Sequence, residues 1–171
     1  LKCCEIGTYL GAYRVVFHPG YYNGKNVEET YENIKKAILE IEEKRKVKKY
    51  TSKLAPETTG KINVFGSVDE IRKLANDTGC GFCIDFAHIL AREKDYKFKE
   101  VTEKFSRYNE LHIHFSGIDY SEKGEKNHKK TPEKELKKLL SNLPKNKEIV
   151  VINESPFPVE DSIIGLNMYR R

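Results

Sequence analysis

Short apolar runs alternate with amphipathic helical patterns along this chain. Five runs are predicted as strands, and they cover residues 14–18, 53–57, 81–85, 111–115 and 148–154. Between them, apolar residues recur every three or four positions, as Tyr31, Ile34 and Ile38 do, which is the spacing of one buried face on an α-helix. Apolar strands that alternate with helices predict a parallel α/β architecture, and both an open doubly wound sheet and a closed barrel fit this pattern.

Helix-end signals mark the segments between the runs. Ser67 followed by Glu70 has the spacing of a capping box, and Gly79 is a natural helix end. Three further helices are predicted, and they begin near Val27, Phe98 and Thr131. The polar residues 119–130 are predicted as a long loop, and a short helix is predicted beyond Ser162.

The length and charge of the chain limit the classes of protein to which it could belong. The 171 residues have the length of one domain, and we predict a single domain over residues 1–171. The chain begins at Leu1 without Met, so we expect it to be a piece of a longer protein. Charged residues make up 33% of the chain and the net charge is +5, which fits a polyanionic partner or a solvated surface. No segment approaches the run of about 20 apolar residues that spans a membrane, so no membrane partner is expected.

The four cysteines indicate a reducing environment. Cys80 and Cys83 have the spacing of a redox or zinc motif, but they lead into an apolar strand, so we interpret them as buried thiols. The adjacent Cys3 and Cys4 are a poor disulfide framework. We therefore expect an intracellular, cytoplasmic location.

Each predicted strand ends near a residue that can bind a metal ion. These residues are His18, Glu57, Asp85, His114 and Glu154. Active sites of parallel α/β proteins lie at the carboxyl ends of the strands, so these side chains are expected to meet there. Imidazole and carboxylate groups are zinc ligands, and several converging carboxylates need cations beside them. One such residue is more often a packing or capping residue, but five strand ends in a row predict a metal site.

Taken in order, these motifs resemble the ligand set of the endonuclease IV family. The matching residues are His18-Pro-Gly, Glu57-Thr-Thr-Gly, Asp85-Phe-Ala-His88, His114, His128 and Glu154-Ser-Pro. That family belongs to the xylose-isomerase-like TIM barrels. The resemblance implies a (β/α)8 barrel, of which this chain would cover about strands 4 to 8 and lack the N-terminal strands. We expect the full-length protein to be a monomer.

The resemblance also implies an activity. The enzyme would be a zinc-dependent endonuclease of base excision repair that hydrolyses double-stranded DNA 5′ to an abasic site, using two or three zinc ions. The implied zinc ligands are His18, Glu57, Asp85, His88, His114, His128 and Glu154. Glu57 would bridge two ions, Glu57 and Glu154 would be the catalytic carboxylates, and His88 and His128 would hold the third ion.

This chain departs from the family pattern around the third ion. The family usually has an Asp two residues before the loop His, where this chain has Lys126, and Glu125 one position earlier is a candidate substitute. From His114, near the end of the fourth run, the sequence is His-Phe-Ser-Gly, where many members have His-Leu-Asn-Asp.

Two alternative functions stay open. A sugar isomerase or epimerase of the same barrel superfamily would hold a single divalent metal with Glu57, Asp85, His114 and Glu154. The additional His18, His88 and His128 favour several ions, and hence the nuclease. The second alternative is a degenerate barrel piece that binds DNA or metal without turnover.

Overall fold

The structure is a computed structural model that describes residues 1–170. The chain divides into two compact units, which we describe separately. Unit 1 comprises Leu1–Thr59 and Asn63–Cys83, and unit 2 comprises Gly60–Ile62 and the described residues from Ile84 onward.

Unit 1 is built from a parallel strand pair, a short antiparallel strand pair and three helices. In chain order, its elements are α1 (Lys2–Tyr9), β1 (Arg14–Phe17), β2 (Gly20–Tyr21), α2 (Val27–Val47), β3 (Lys53–Pro56), β4 (Val64–Phe65) and α3 (Val68–Thr78). The strands β1 and β3 are parallel, with Arg14 opposite Lys53 and Phe17 opposite Pro56. The strands β2 and β4 are antiparallel.

The core of unit 1 contains the apolar faces that the helical pattern predicts. Its buried members are Cys4, Tyr31, Ile38, Leu54, Phe65, Leu74 and Cys80. The predicted capping box at the start of α3 is present, since Ser67 accepts from the backbone of Glu70 and the Glu70 side chain accepts from the backbone of Ser67. The helix ends at Gly79 in the left-handed conformation, with a φ of 71°.

The cysteines match the buried-thiol interpretation. Neither Cys80 nor Cys83 forms a disulfide, and both are buried. Burial raises the pKa of the Cys80 thiol to about 11, so this thiol stays protonated and unreactive near neutral pH.

Unit 2 is built around a three-stranded parallel sheet. Its elements are β5 (Ile84–Asp85), α4 (Phe86–Glu93), α5 (Phe98–Lys104), β6 (Glu110–Phe115), β7 (Gly117–Ser121), β8 (Gly124–Lys129), α6 (Glu133–Asn142), β9 (Glu148–Asn153) and α7 (Pro158–Tyr169). The strand order in the sheet is β5-β6-β9. Ile113 on the central strand is fully buried, opposite Ile84 on one side and Val151 on the other.

Aromatic side chains fill the core of unit 2. Phe98 contacts Phe86 edge-on at a centroid distance of 4.9 Å and stacks on Tyr96 at 4.7 Å. Phe115, at the end of β6, is 2% exposed and lies 5.7 Å from the ring of Tyr96. The apolar face of β6 is therefore fixed against the helices, which leaves the opposite face for its two histidines.

Several element predictions are corrected by the structure. The predicted loop at residues 119–130 is largely an antiparallel hairpin of β7 and β8. Helices α1 and α4 were not predicted, and α7 begins at Pro158, before the Ser162 boundary. The helix predicted to begin near Thr131 is α6, which has Pro132 as its N-cap. No helix within residues 1–170 has both the length and the apolar content needed to cross a membrane.

Candidate metal centre

The parallel sheet of unit 2 brings three predicted ligands together. Asp85 is the last residue of β5 and is paired with His114 on β6. Glu154 follows β9, and its backbone N–H donates to the carbonyl of Phe115 at 3.2 Å, so it continues the same ladder. One ligand atom each from Asp85, His114 and Glu154 lie within 4.8 Å of one another. Adjacent strands ending at one edge thus place two carboxylates and one imidazole in a single group, which is a donor set that zinc accepts.

Local hydrogen bonds orient this group. Asp85 is the N-cap of α4, and its Oδ1 accepts from the backbone N–H of His88 at 2.8 Å. The Nδ1 of His114 lies 2.9 Å from Oε1 of Glu154. Asp85 is fully buried and His114 is 6% exposed, so the carboxylate and imidazole are held in a protein environment rather than in solvent. Ligands fixed in this way need little reorganisation to accept an ion.

A second group in unit 2 surrounds His88. The Nε2 of His88 lies 3.1 Å from Oε2 of Glu125, and its Nδ1 lies 3.5 Å from Oδ2 of Asp85. The ring of His128 lies 5.3 Å from that of His88, measured between centroids. The Nδ1 of His128 is 2.6 Å from the hydroxyl oxygen of Ser116. The hairpin therefore contributes an imidazole and a carboxylate beside a buried helix imidazole.

The remaining two predicted ligands form a pair in unit 1. The Nε2 of His18 lies 3.3 Å from Oε2 of Glu57. Glu57 is 5% exposed, and its Oε1 lies 3.6 Å from the thiol of Cys83. Because β1 and β3 are parallel neighbours, the residues that follow them, His18 and Glu57, meet at the same end of the pair.

All seven predicted ligands thus fall into groups within their own units, and their role as metal ligands stays a prediction. Two polar contacts were missed by the sequence reasoning: that of Ser116 with His128 and that of Cys83 with Glu57. Strand alternation predicts that Ser116 lies on the same face as His114, so the sequence could have indicated that Ser116 is near the candidate site. The thiol contact depends on the long-range pairing of Cys83 with Glu57 and has no local signal.

The fold and these groups define a class of protein: an α/β protein with parallel strands whose carboxyl ends carry imidazole and carboxylate side chains. A family model described as "Xylose isomerase-like TIM barrel" matches residues 1–158, and the chain belongs to this family. The TIM-barrel fold class predicted from the sequence is confirmed. The superfamily includes both endonuclease IV-like DNA repair enzymes and sugar isomerases, so membership is compatible with both candidate enzymes.

Individual proteins also resemble the chain, among them one of similar sequence and one of similar fold. The uncharacterized protein MJ0133 of Methanocaldococcus jannaschii is 36% identical over an alignment that covers 91% of this chain and 62% of that protein. The crystal structure of SacUVDE superimposes with a TM-score of 0.70 at 16% identity, over 99% of this chain and 55% of that one. The chain therefore spans somewhat more than half the length of these proteins, and the second likeness concerns the fold alone.

Proposed function

We propose that this chain belongs to a zinc-dependent endonuclease that hydrolyses the DNA phosphodiester 5′ to an abasic site. The observation that carries the proposal is the convergence of Asp85, His114 and Glu154 within 4.8 Å at the carboxyl ends of three neighbouring parallel strands. Bound zinc ions would lower the pKa of a water molecule to about 7 and clamp the phosphodiester oxygens.

The chain's own residues would position the zinc ions and the phosphodiester. Asp85 is tied to the first turn of α4 through the backbone N–H of His88, and Oε1 of Glu154 lies 2.9 Å from Nδ1 of His114, so both carboxylates would keep their direction when substrate arrives. Glu57, beside His18 in unit 1, is the carboxylate for which the family resemblance implies a bridging and catalytic role. Holding ligands in place before the reaction lowers the reorganisation needed in the transition state.

Two features favour the nuclease over the single-metal isomerase. Imidazole–carboxylate contacts occur outside the Asp85 group, at His18 with Glu57 and at His88 with Glu125, which gives more ligands than one ion requires. The chain also carries a net charge of +5, which favours association with the DNA backbone. On the hairpin, Lys126 is exposed, while Lys129 is bound to Asp119 at 2.6 Å.

Metal counting combined with a nicking assay tests the proposal. The full-length protein, purified without added metal, is expected to contain two or three zinc ions and to nick duplex DNA at an abasic site in buffer without magnesium. A single bound metal together with turnover of a ketose would establish the isomerase instead. Bound metal without either activity would support the degenerate barrel.

The substitution Glu57→Gln tests the implied bridging role. The amide keeps the size of the side chain but removes its charge, so we expect nicking to be abolished while the circular dichroism spectrum is unchanged. Glu43→Gln is the matched control, because Glu43 is an exposed carboxylate of the same unit. Nicking at the wild-type rate by the Glu57→Gln protein would show that the carboxylate of Glu57 is not required for catalysis.

A further inference from the structure

The excess positive charge of the chain is concentrated in one short segment of unit 1. Residues 44–53 contain six basic residues and no acidic residue, and one of the six, Arg45, is paired with Glu42. The other five equal in number the net charge of +5 of the whole chain, so acidic and basic residues balance over the remaining sequence. These five side chains are all exposed, and we call them the basic surface: Lys44, Lys46, Lys48, Lys49 and Lys53.

The basic surface lies at the amino ends of the parallel strands of unit 1. Lys53 is the first residue of β3, which is paired with β1. The end of α1 is tied to the same place, because the hydroxyl of Thr8 accepts from the backbone N–H of Thr51 at 2.9 Å. His18 and Glu57 follow the carboxyl ends of the two strands. The basic surface and this candidate metal-binding pair are therefore at opposite ends of the strand pair.

The end of helix α2 explains only part of this charge. Lys44 and Lys46 lie in its last turn, where cations interact favourably with the backbone carbonyls that the helix leaves unpaired. Lys49 and Lys53 lie beyond the C-cap residue, Lys48, so the helix does not account for them. Within residues 1–170, no ion pair neutralises any of the five ammonium groups. A cluster of like charges repels itself and attracts a polyanion.

The cations around Tyr13 favour a phosphate backbone over a lipid surface as the polyanion. The Tyr13 side chain is 54% exposed, and its ring centroid lies 5.3 Å from Cζ of Arg14 and 5.5 Å from Nζ of Lys53. Both contacts are cation–π interactions, so the ring holds positive charge beside it. A ring covered by cations is suited to contact with phosphates and is poorly suited to insertion among acyl chains.

We propose that the basic surface binds the phosphate backbone of duplex DNA, at the end of unit 1 away from His18 and Glu57. The choice of DNA rests on the proposed function, whereas the position of the surface rests on the distribution of charge. Lysine contacts with phosphates carry no sequence information, so the surface would hold a duplex of any sequence. Such binding releases counterions and lets a protein move along the duplex, which would keep the enzyme on DNA between abasic sites.

The salt dependence of DNA binding tests the proposal. Fluorescence anisotropy of a labelled duplex without abasic sites measures the affinity of the full-length protein at several salt concentrations. In the double variant Lys48→Gln/Lys49→Gln, the slope of log affinity against log salt should fall by about 2, and the affinity at about 0.1 M salt should fall about 10- to 100-fold.

The matched control is the double variant Lys137→Gln/Lys138→Gln. It removes the same charge from an adjacent, exposed pair of lysines on α6, where Lys138 is paired with Glu135 at 3.3 Å. This variant should keep the wild-type slope and affinity. Equal losses in the two double variants would assign DNA binding to net charge and overturn the proposal.

The remaining outcomes separate the basic surface from the proposed function. Nicking of abasic DNA by the wild type, with unchanged affinity in Lys48→Gln/Lys49→Gln, would overturn the proposal and leave the endonuclease standing. Weakened DNA binding in that variant, in a protein that nicks no DNA, would support the basic surface and overturn only the endonuclease. Binding to vesicles of phosphatidylserine and phosphatidylcholine that depends on these two lysines, without binding to the duplex, would overturn the proposal in favour of a membrane surface.

Discussion

A buried ion pair on α2 stabilises unit 1, and the burial of these two charged residues was not predicted from the sequence. Glu42 is 6% and Arg45 is 9% exposed, and Nη2 of Arg45 donates to Oε2 of Glu42 at 2.7 Å. The other carboxylate oxygen accepts from the backbone N–H of Leu54 at 3.2 Å, and Arg45 donates to the carbonyl of Tyr50 at 2.6 Å. The end of α2 is thereby tied to the start of β3, the strand that leads to Glu57.

We predict that Glu42→Ala lowers the free energy of unfolding by about 3–5 kcal/mol, because the charge of Arg45 would stay buried without its partner. Denaturant unfolding followed by circular dichroism measures the change. Glu43→Ala, one residue away on the exposed side of α2, should change stability by no more than about 0.5 kcal/mol. Similar stabilities for the two variants would contradict the prediction.

At the scale of elements, amphipathic helices could be predicted and the hairpin could not. One apolar face and an otherwise polar surface characterise the first half of α2 and all of α3. In addition, Ser67 and Glu70 form the capping box of α3, so the local sequence determines both helices. The hairpin of β7 and β8 has mostly polar side chains and a bulge, so it lacks the alternation that marks a strand. It forms instead through long-range contacts such as that of Gly60 with Glu125.

Helix α4 was missed for the opposite physical reason. Five of its first six residues are buried, so its sequence does not alternate between an apolar and a polar face. Its start signal, Asp85, also has the position and chemistry of a metal ligand. The structure shows Asp85 as the N-cap of α4, and its role as a metal ligand stays a prediction.

The carboxylate of Asp161 links α7 to the residues before α6. The backbone N–H of Thr131 donates to Oδ2 of Asp161 at 2.8 Å, and Asp161 is 3% exposed. Burial acts to raise the pKa of Asp161, but the hydrogen bonds from Thr131 and Ser155 outweigh it, and the net pKa is lowered. The charged carboxylate is therefore the form that stabilises the folded protein.

We predict that Asp161→Asn destabilises the protein by about 1.5–3 kcal/mol at pH 7, the usual range for a hydrogen bond to a charged group. Because the pKa is lower in the folded state, this contribution is complete above the unfolded value of about 3.9 and is lost as the pH falls through the folded value. Unfolding curves at several pH values should show the two proteins converging below about pH 4. Glu160→Gln, on the exposed side of α7, should show no such convergence.

At the scale of the whole molecule, the sequence predicts the positions of those candidate site residues that lie at the ends of parallel strands. The sequence predicted that His114 and Glu154 lie at the same edge of the sheet, because the carboxyl ends of parallel strands meet there. The parallel register of β6 with β9 agrees with this position. The contact of Ser116 with His128 could not be predicted, because it requires β8 to pair with β7, the strand that begins at Gly117. Side-chain identity and strand order thus suffice to place the candidate ligands, whereas the contacts that support them depend on three-dimensional packing.

The edge of the parallel sheet predicts how the 171-residue chain behaves in solution. In the region that the structure describes, β9 is hydrogen-bonded to β6 alone, so its outer edge presents unpaired backbone groups. Val150, Val151 and Ile152 on this strand are 45%, 37% and 41% exposed. An exposed apolar edge strand is a template for pairing with another chain. We therefore predict that the isolated chain associates with itself.

Sedimentation velocity of the 171-residue chain measures this association directly. The wild type should sediment as dimers or larger species, and Val151→Lys should shift it toward the monomer, because a charged side chain on an edge strand opposes strand pairing. Val47→Lys is the matched control: Val47 is 78% exposed at the end of α2 in unit 1, so the same change of charge there should leave the distribution unaltered. A stable wild-type monomer at micromolar concentration would show that β9 is protected without a partner, and equal effects of the two lysines would assign the association to net charge rather than to this strand.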